Sequence, residues 1–293
     1  MPSTMPLVIP KRLSLTCART TEGSSWLAGL ASTIQELQDR WALQILAPFD
    51  HGEVSCAWVA PVIRRDGSAA VLKVSVPHFE ADQEIAGLRF WDGDPTVRLL
   101  DADEHLFALL LEQVDPGTHL RTLRSEVEQD VVIARLLTRM WRQPESPHPF
   151  RPLRAMTTRL REETRAQTAR WPDAALVRDG LNLLDELSRP HSDDVLLTTD
   201  LHAGNVLRAQ RQEWLVIDPK PFIGDRAYDA TQHLLNCMER LRSTPTDTIQ
   251  RFADLLGVDG ERVRSWLFAR MAAEPRDNWR HDPCWALARS IRP

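Results

Sequence analysis

The sequence predicts an α+β chain of two lobes, a small β-rich N-lobe and a larger helical C-lobe, from three observations. Apolar runs of strand length crowd residues 40–114, and helical periodicity takes over beyond Asp115-Pro116-Gly117. One hairpin-like pattern, Val195 to Leu207 and Trp214 to Ile217, interrupts the helical part. A sheet with helices segregated beside it is an α+β arrangement, and the division falls between residues 1–114 and 115–293.

The first pair of strands is predicted at Val54 to Ile63 and Ala69 to Val76, because they flank Arg64-Arg65-Asp66-Gly67-Ser68, whose Asp-Gly pair is a strong hairpin signal. Glu80 to Trp91 reads as a helix, with Glu84, Leu88 and Trp91 at i, i+4 and i+7, closed by Gly93. Val97 to Leu100 and Leu106 to Val114 complete the small sheet around the polar turn Ala102-Asp103-Glu104-His105. Helices are predicted near Leu123 to Trp141, Leu153 to Arg170 and Ala174 to Arg189, punctuated by Pro144, Pro147, Pro149, Pro152 and Pro172. The pattern turns extended at 195–217 around a turn rich in Gln and Arg, then helical again from Tyr228 to the C terminus. The cleft between two such lobes is the default ligand site.

Composition narrows the function classes. With 293 residues and 43% apolar content the chain can bury a full core. A formal charge of −5 removes the bulk basic field that nonspecific nucleic-acid binding needs, so no nucleic-acid partner is expected. No apolar run approaches the roughly 18 residues of a membrane span, and Met1 to Pro10 lacks the pattern of a signal peptide. No membrane association and a cytoplasmic location are the expectations; oligomeric state is not legible. Cys17, Cys56, Cys237 and Cys284 lie far apart and form no pair at metal-ligand spacing. Of 36 basic residues only Lys11, Lys73 and Lys220 are lysine, which makes each one informative.

The chemistry concentrates in Leu197-Thr198-Thr199-Asp200-Leu201-His202-Ala203-Gly204-Asn205-Val206-Leu207. Asp200 precedes Asn205 by five residues, and Asp218 follows Asn205 by thirteen, at the end of Trp214-Leu215-Val216-Ile217. A hairpin between them would return Asp218 to the side of Asn205. Phosphoryl transfer needs a carboxylate to orient the attacking hydroxyl and hard oxygen ligands to hold Mg²⁺ on the phosphates, and these three residues fit those roles. Lys73, mid-strand in Val71-Leu72-Lys73-Val74, with Glu84 on the next helix, supplies the expected ion pair that aims an ammonium at the phosphates. Strand Lys, helix Glu, base Asp, ligand Asn and second ligand Asp follow the order of the kinase signature set.

Asp200-Leu201-His202-Ala203-Gly204-Asn205-Val206-Leu207 and Ile217-Asp218-Pro219-Lys220-Pro221-Phe222-Ile223-Gly224-Asp225 resemble the aminoglycoside phosphotransferase superfamily. The second stretch, with Tyr228-Asp229 and Gln232-His233-Leu234-Leu235-Asn236, resembles its streptomycin 6-kinase and hydroxyurea phosphotransferase branch. The similarity extends to Phe90-Trp91-Asp92-Gly93 and Val97-Arg98-Leu99-Leu100. The resemblance implies a bilobal protein-kinase-like fold and an ATP- and Mg²⁺-dependent kinase acting on a hydroxyl of a small molecule such as streptomycin or hydroxyurea. It implies Asp200 as catalytic base, Asn205 and Asp218 as Mg²⁺ ligands, Lys73 with Glu84 as phosphate clamp, and Glu112 to Val114 near the hinge.

Other residues carry weaker signals. Asp229 resembles an anchor of the catalytic loop, and His202 is expected to shape its turn rather than act as a base. Lys220 is either a surface residue or a second phosphate contact, and Asp225 is either a solvated acid or a contact for a cationic substrate. The chain departs from its relatives at Thr198, where many carry histidine, and it lacks a Gly-x-Gly-x-x-Gly loop, with only Gly52 in Asp50-His51-Gly52-Glu53. These departures keep a second reading open, a silent pseudokinase that binds nucleotide as a regulatory module.

Overall fold

The chain opens with two helices that strand propensity alone does not announce. Helix α1 (Lys11–Cys17) leads into α2 (Thr21–Trp41), whose first turn is capped by Thr20 Oγ1 accepting from the Gly23 amide at 3.0 Å. Leu30, Ile34 and Leu37 recur at helical spacing and are buried, so α2 is held by one apolar face. The computed structural model describes residues 7–50, 56–79, 81–123, 125–279 and 284–293. Gly52 of the expected phosphate loop, Glu80 at the expected helix start and Arg124 lie outside these.

Strands β1 (Gln44–Ile45), β2 (Ala57–Ile63) and β3 (Ala69–Ser75) follow. The β2–β3 hairpin turns where the Asp-Gly signal sits: Gly67 has φ +83°, and Asp66 Oδ1 accepts from the Ser68 amide at 2.9 Å. Helix α3 (Glu84–Trp91) begins after a single 3₁₀ turn, and β4 (Leu99–Asp103) and β5 (Ala108–Glu112) close an antiparallel sheet of order β1-β2-β3-β5-β4. The turn between β4 and β5 lies later than the sequence suggests, because Asp103 stays in the strand and its Oδ1 caps the Leu106 amide at 2.9 Å. Ala70, Leu72 and Val74 enter a core with Leu13, Leu30, Leu37 and Trp58. Alternation in β3 then puts Lys73 on the opposite face of the sheet.

A first compact unit ends at Gly117, within the short strand β6 (Pro116–His119). The second unit, from Thr118 on, is mainly helical. Helices α4 (Glu126–Met140), α5 (Leu153–Ala166) and α6 (Ala174–Leu187) start after Ser125, Pro152 and Asp173, of which Ser125 and Asp173 cap with side-chain oxygens. Four short strands come next: β7 (Val195–Leu197), β8 (Val206–Ala209), β9 (Trp214–Val216) and β10 (Phe222–Gly224). They pair as two antiparallel couples, β7 with β10 and β8 with β9. Helices α7 (Arg226–Asn236), α8 (Met238–Ser243), α9 (Pro245–Leu256), α10 (Gly260–Ala273) and α11 (Cys284–Ser290) complete the chain. Helix α10 runs through the centre, with every residue from Trp266 to Ala273 buried. No helix among the described residues is long and apolar enough to cross a membrane.

Candidate active site

The first unit contributes an ion pair. Lys73 Nζ donates to Glu84 Oε1 at 2.6 Å and Oε2 at 2.8 Å, with the Glu84 side chain 1% exposed and that of Lys73 9%. Glu84 makes this contact as the first residue of α3, directly after the 3₁₀ turn at Ala81–Gln83. Strand Lys and helix Glu therefore meet as their sequence pattern suggests. Glu112 and Val114, the expected hinge residues, stand at and just beyond the end of β5, both half-buried, and the Glu112 amide donates to the Arg98 carbonyl at 3.0 Å.

The second unit builds its site from two turns tied to one another. Between β7 and β8 the chain passes through Thr199, Asp200 and a 3₁₀ turn at Ala203–Asn205. Asn205 Nδ2 donates to the Asp200 carbonyl at 3.0 Å, which joins the two ends of the loop. The β8–β9 register pairs Val206 with Val216, and the Ile217 amide donates to the Asn205 carbonyl at 2.9 Å, so the hairpin returns Asp218 beside Asn205. From the other side the Lys220 amide donates to the Thr198 carbonyl at 2.8 Å and Thr199 Oγ1 to the Lys220 carbonyl at 2.7 Å. Asp200, Asn205 and Asp218 are thus brought together by these side-chain and main-chain bonds, and all three are half-buried.

Two residues of these turns adopt left-handed backbone without being glycine: Thr199 at φ +49° and Asp218 at φ +54°. For a β-branched residue this region is strained, and it persists only where neighbours over-determine it. Asp229 provides that at Thr199. Its Oδ1 accepts from the Thr199 amide at 2.7 Å, and its Oδ2 from the Thr198 amide and the Trp141 indole, both at 3.0 Å. Asp229 is 1% exposed. Burial pushes its pKa up to about 6, against the pull of those amide and indole donors.

His202 caps the 3₁₀ turn, its Nδ1 accepting from the Gly204 amide at 3.0 Å. The proton of a neutral ring then sits on Nε2. Burial, with the nearby His233, lowers its pKa to about 4, so the ring is neutral at physiological pH. His119, outside the sequence expectations, holds the same turn through Nδ1 and the Gly204 carbonyl at 2.7 Å. Lys220 is not a surface residue: it is 9% exposed and its ammonium pairs with Asp218 Oδ1. Asp225 caps α7 at the Ala227 amide (3.0 Å), pairs with Arg262 and accepts from the Trp266 indole at 2.6 Å. Its carboxylate is engaged within the fold, which weighs against the reading of a solvated acid.

Asn205 and Asp218 form a donor set suited to a hard cation. With its Nδ2 turned to Asp200, the Asn205 amide presents its oxygen as the remaining donor, beside a carboxylate. A second cluster, Asp130, His233 and Cys237, brings ligand-type atoms within 4.8 Å of one another. There Arg240 takes both Asp130 oxygens at 2.6 and 2.7 Å, and burial pushes the Cys237 thiol up to about 12, so the cluster reads as a buried ion pair. Gln232, on α7, stands in the motif quoted above without an assigned role: its Nε2 donates to Asp200 Oδ1 at 2.7 Å.

Residues 40–279 match the family of aminoglycoside/hydroxyurea antibiotic resistance kinases. The chain is 37% identical over 284 residues to a streptomycin 6-kinase of Streptomyces glaucescens, covering 92% of this chain and 90% of that one. It is 37% identical over 261 residues to a hydroxyurea phosphotransferase of Kitasatospora aureofaciens, covering 85% and 73%. Among solved structures, a choline/ethanolamine kinase family protein from Mesorhizobium loti aligns with TM-score 0.61 at 12% identity, over 88% of this chain and 94% of that one. A choline kinase from Streptococcus pneumoniae aligns with TM-score 0.57 at 12% identity, over 87% and 89%; at such identities the likeness is one of fold. The chain belongs to the aminoglycoside/hydroxyurea antibiotic resistance kinase family and is a small-molecule phosphotransferase with a protein-kinase-like fold.

Proposed function

We propose that this phosphotransferase moves the γ-phosphoryl group of ATP to a hydroxyl of a small antibiotic-type acceptor, with streptomycin and hydroxyurea as the first candidates. The observation that carries the reading is the tied pair of turns, in which Asn205 Nδ2 on the Asp200 carbonyl and the Ile217 amide on the Asn205 carbonyl hold a base and two oxygen ligands together. The names of the relatives supply the acceptor candidates.

In this reading Asp200 accepts a hydrogen bond from the acceptor hydroxyl and so orients its oxygen toward the γ-phosphorus. As the new oxygen–phosphorus bond forms, the bond to the bridging oxygen breaks with its electron pair leaving on ADP, and the hydroxyl proton passes to the Asp200 carboxylate. Asn205 and Asp218 would hold Mg²⁺, which when bound offsets negative charge on the phosphates. Lys73, oriented by Glu84, would hold phosphate oxygens, and Glu112 to Val114 would border the adenine. Lys220 adds a cation beside Asp218, while Asp229 and His202 keep the loop in shape. His202 would not serve as the base, since the lone pair on its Nδ1 already accepts from the Gly204 amide.

The test is ADP release with Mg²⁺ and ATP across streptomycin, other aminoglycosides, hydroxyurea and simple sugars, with Asp200→Ala beside the unaltered chain. Turnover that depends on an acceptor and falls by about 10²-fold or more in Asp200→Ala is the expected result. Nucleotide binding without turnover on any of them would overturn the reading.

A further inference from the structure

Asp200 does not stand alone at the end of its loop. Gln232 Nε2 donates to its Oδ1 at 2.7 Å, and the other end of the same amide, Oε1, accepts from an Arg270 terminal nitrogen at 2.9 Å. Arg270 is fixed in turn at three further points. Its other terminal nitrogen donates to Thr231 Oγ1 at 2.7 Å, its Nε donates to Glu274 Oε1 at 2.5 Å, and its guanidinium lies 4.9 Å from the centroid of the Tyr228 ring. Burial alone would disfavour the charge on Arg270, which is 8% exposed, but the negative charge of Glu274 leads the contributions that raise its pKa, so it stays cationic.

The order of groups in this chain is dictated by their chemistry. Arginine has only donors, and an ionised carboxylate only acceptors. An amide between them must turn its oxygen to the arginine and its NH₂ to the carboxylate, so Arg270 removes the flip ambiguity that a glutamine side chain otherwise has. Helix α7 places this amide well: Asp229, one turn before Gln232, holds the backbone of Thr198 and Thr199, and Gln232 then meets the side chain of the next residue. One helix face thus sets both the path of the loop and the rotation of the Asp200 carboxylate.

We propose that Gln232 is a positioning residue for Asp200, and that Arg270, braced by Glu274, sets the orientation of the Gln232 amide. The inference rests on the reading of Asp200 as the base that orients the acceptor. Two substitutions separate positioning from support of the fold. Gln232→Glu keeps the size and the bond from Arg270 but puts a second carboxylate against Asp200. Gln232→Met keeps the bulk and loses both bonds, adding no charge.

The experiment measures kcat, both KM values and the thermal midpoint of Gln232→Glu, Gln232→Met and Asp200→Ala, with ATP and whichever of streptomycin and hydroxyurea is turned over. The expected result is a kcat lowered about tenfold or more in Gln232→Met and lower still in Gln232→Glu, with KM for ATP within about twofold. Gln232→Glu keeps the higher thermal midpoint of the two, because it retains the partner of Arg270. A residue that only supported the fold would give the opposite order of kcat, Glu above Met, and that order, or kcat unchanged in both, overturns the inference. Turnover surviving in Asp200→Ala, or absent with both acceptors, overturns the underlying reading instead.

Discussion

At the residue scale the first unit carries one charge pair, in which Lys73 Nζ is held by both oxygens of Glu84. The energetics of this pair follow from its burial. Removing the carboxylate of Glu84 leaves an ammonium, 9% exposed in its side chain, without the two short bonds that now compensate its desolvation, a loss of about 3–5 kcal/mol. Lys73→Met with Glu84→Met removes both charges together, so the double substitution costs less than the sum of the single ones. Urea unfolding of the four chains of that cycle measures the coupling, and additive losses would show that the pair contributes no mutual stabilisation. Lys73 and Glu84 are legible in the sequence, because alternation puts the lysine on one sheet face and the next helix begins eleven residues later, whereas Gln232 and Arg270 are not. They are 38 residues apart, no local pattern links them, and Arg270 is one arginine among many.

At the element scale, turn chemistry and short spacings read well and close packing did not. Asp66-Gly67 marked the β2–β3 hairpin, and the interval from Asn205 to Asp218 marked the β8–β9 hairpin, because two strands and a turn fill it without slack. Helix α2 is not legible in this way: Gly23, Gly29 and Thr33 dilute its propensity, and what sustains it is the buried face of Leu30, Ile34 and Leu37. The contact of α6 with α10 depends on absent side chains. A Cβ on Gly180 would meet the Cβ atoms of Ala272 and Ala273 at 2.8 and 2.9 Å and the Ala269 carbonyl at 3.3 Å. These small residues let α10, which carries Arg270, lie close on α6. Gly180→Val would force the helices apart and cost about 1–3 kcal/mol, read as a lower urea midpoint. Because Arg270 moves with its helix, kcat falls with it; Gly29→Ala, where nothing lies within 4 Å, is the matched control and leaves both unchanged or slightly improved.

At the scale of the whole molecule two titrating groups at the Asp200 loop, half-buried His202 within it and buried Asp229 on α7, act on stability in opposite directions. His202 has a pKa of about 4 in the folded chain against 6.5 ordinarily, so on acidification the unfolded chain takes up its proton first, and stability present above pH 6.5 is lost toward pH 4. Asp229 has a pKa of about 6 against 3.8, so here the folded chain takes up the proton first, and stability is gained over nearly the same interval. Each shift is worth roughly 3 kcal/mol, which makes the two contributions nearly cancel between pH 7 and 4. Substitution uncovers them. Asp229→Asn is less stable at every pH, because its NH₂ faces a backbone amide that now donates to a carboxylate oxygen, and it also loses the gain on acidification. The gap between it and the unaltered chain therefore widens by up to about 3 kcal/mol as the pH falls from 7 to 4. His202→Asn removes the opposing loss, so its gap narrows or reverses over the same range. Urea unfolding of the three chains at pH 7, 6, 5 and 4 reads these differences, in which the other carboxylates and histidines cancel. Parallel pH dependences would show that neither group changes its proton affinity on folding, and the loop would then owe its shape to the hydrogen bonds of Asp229 and His202 alone.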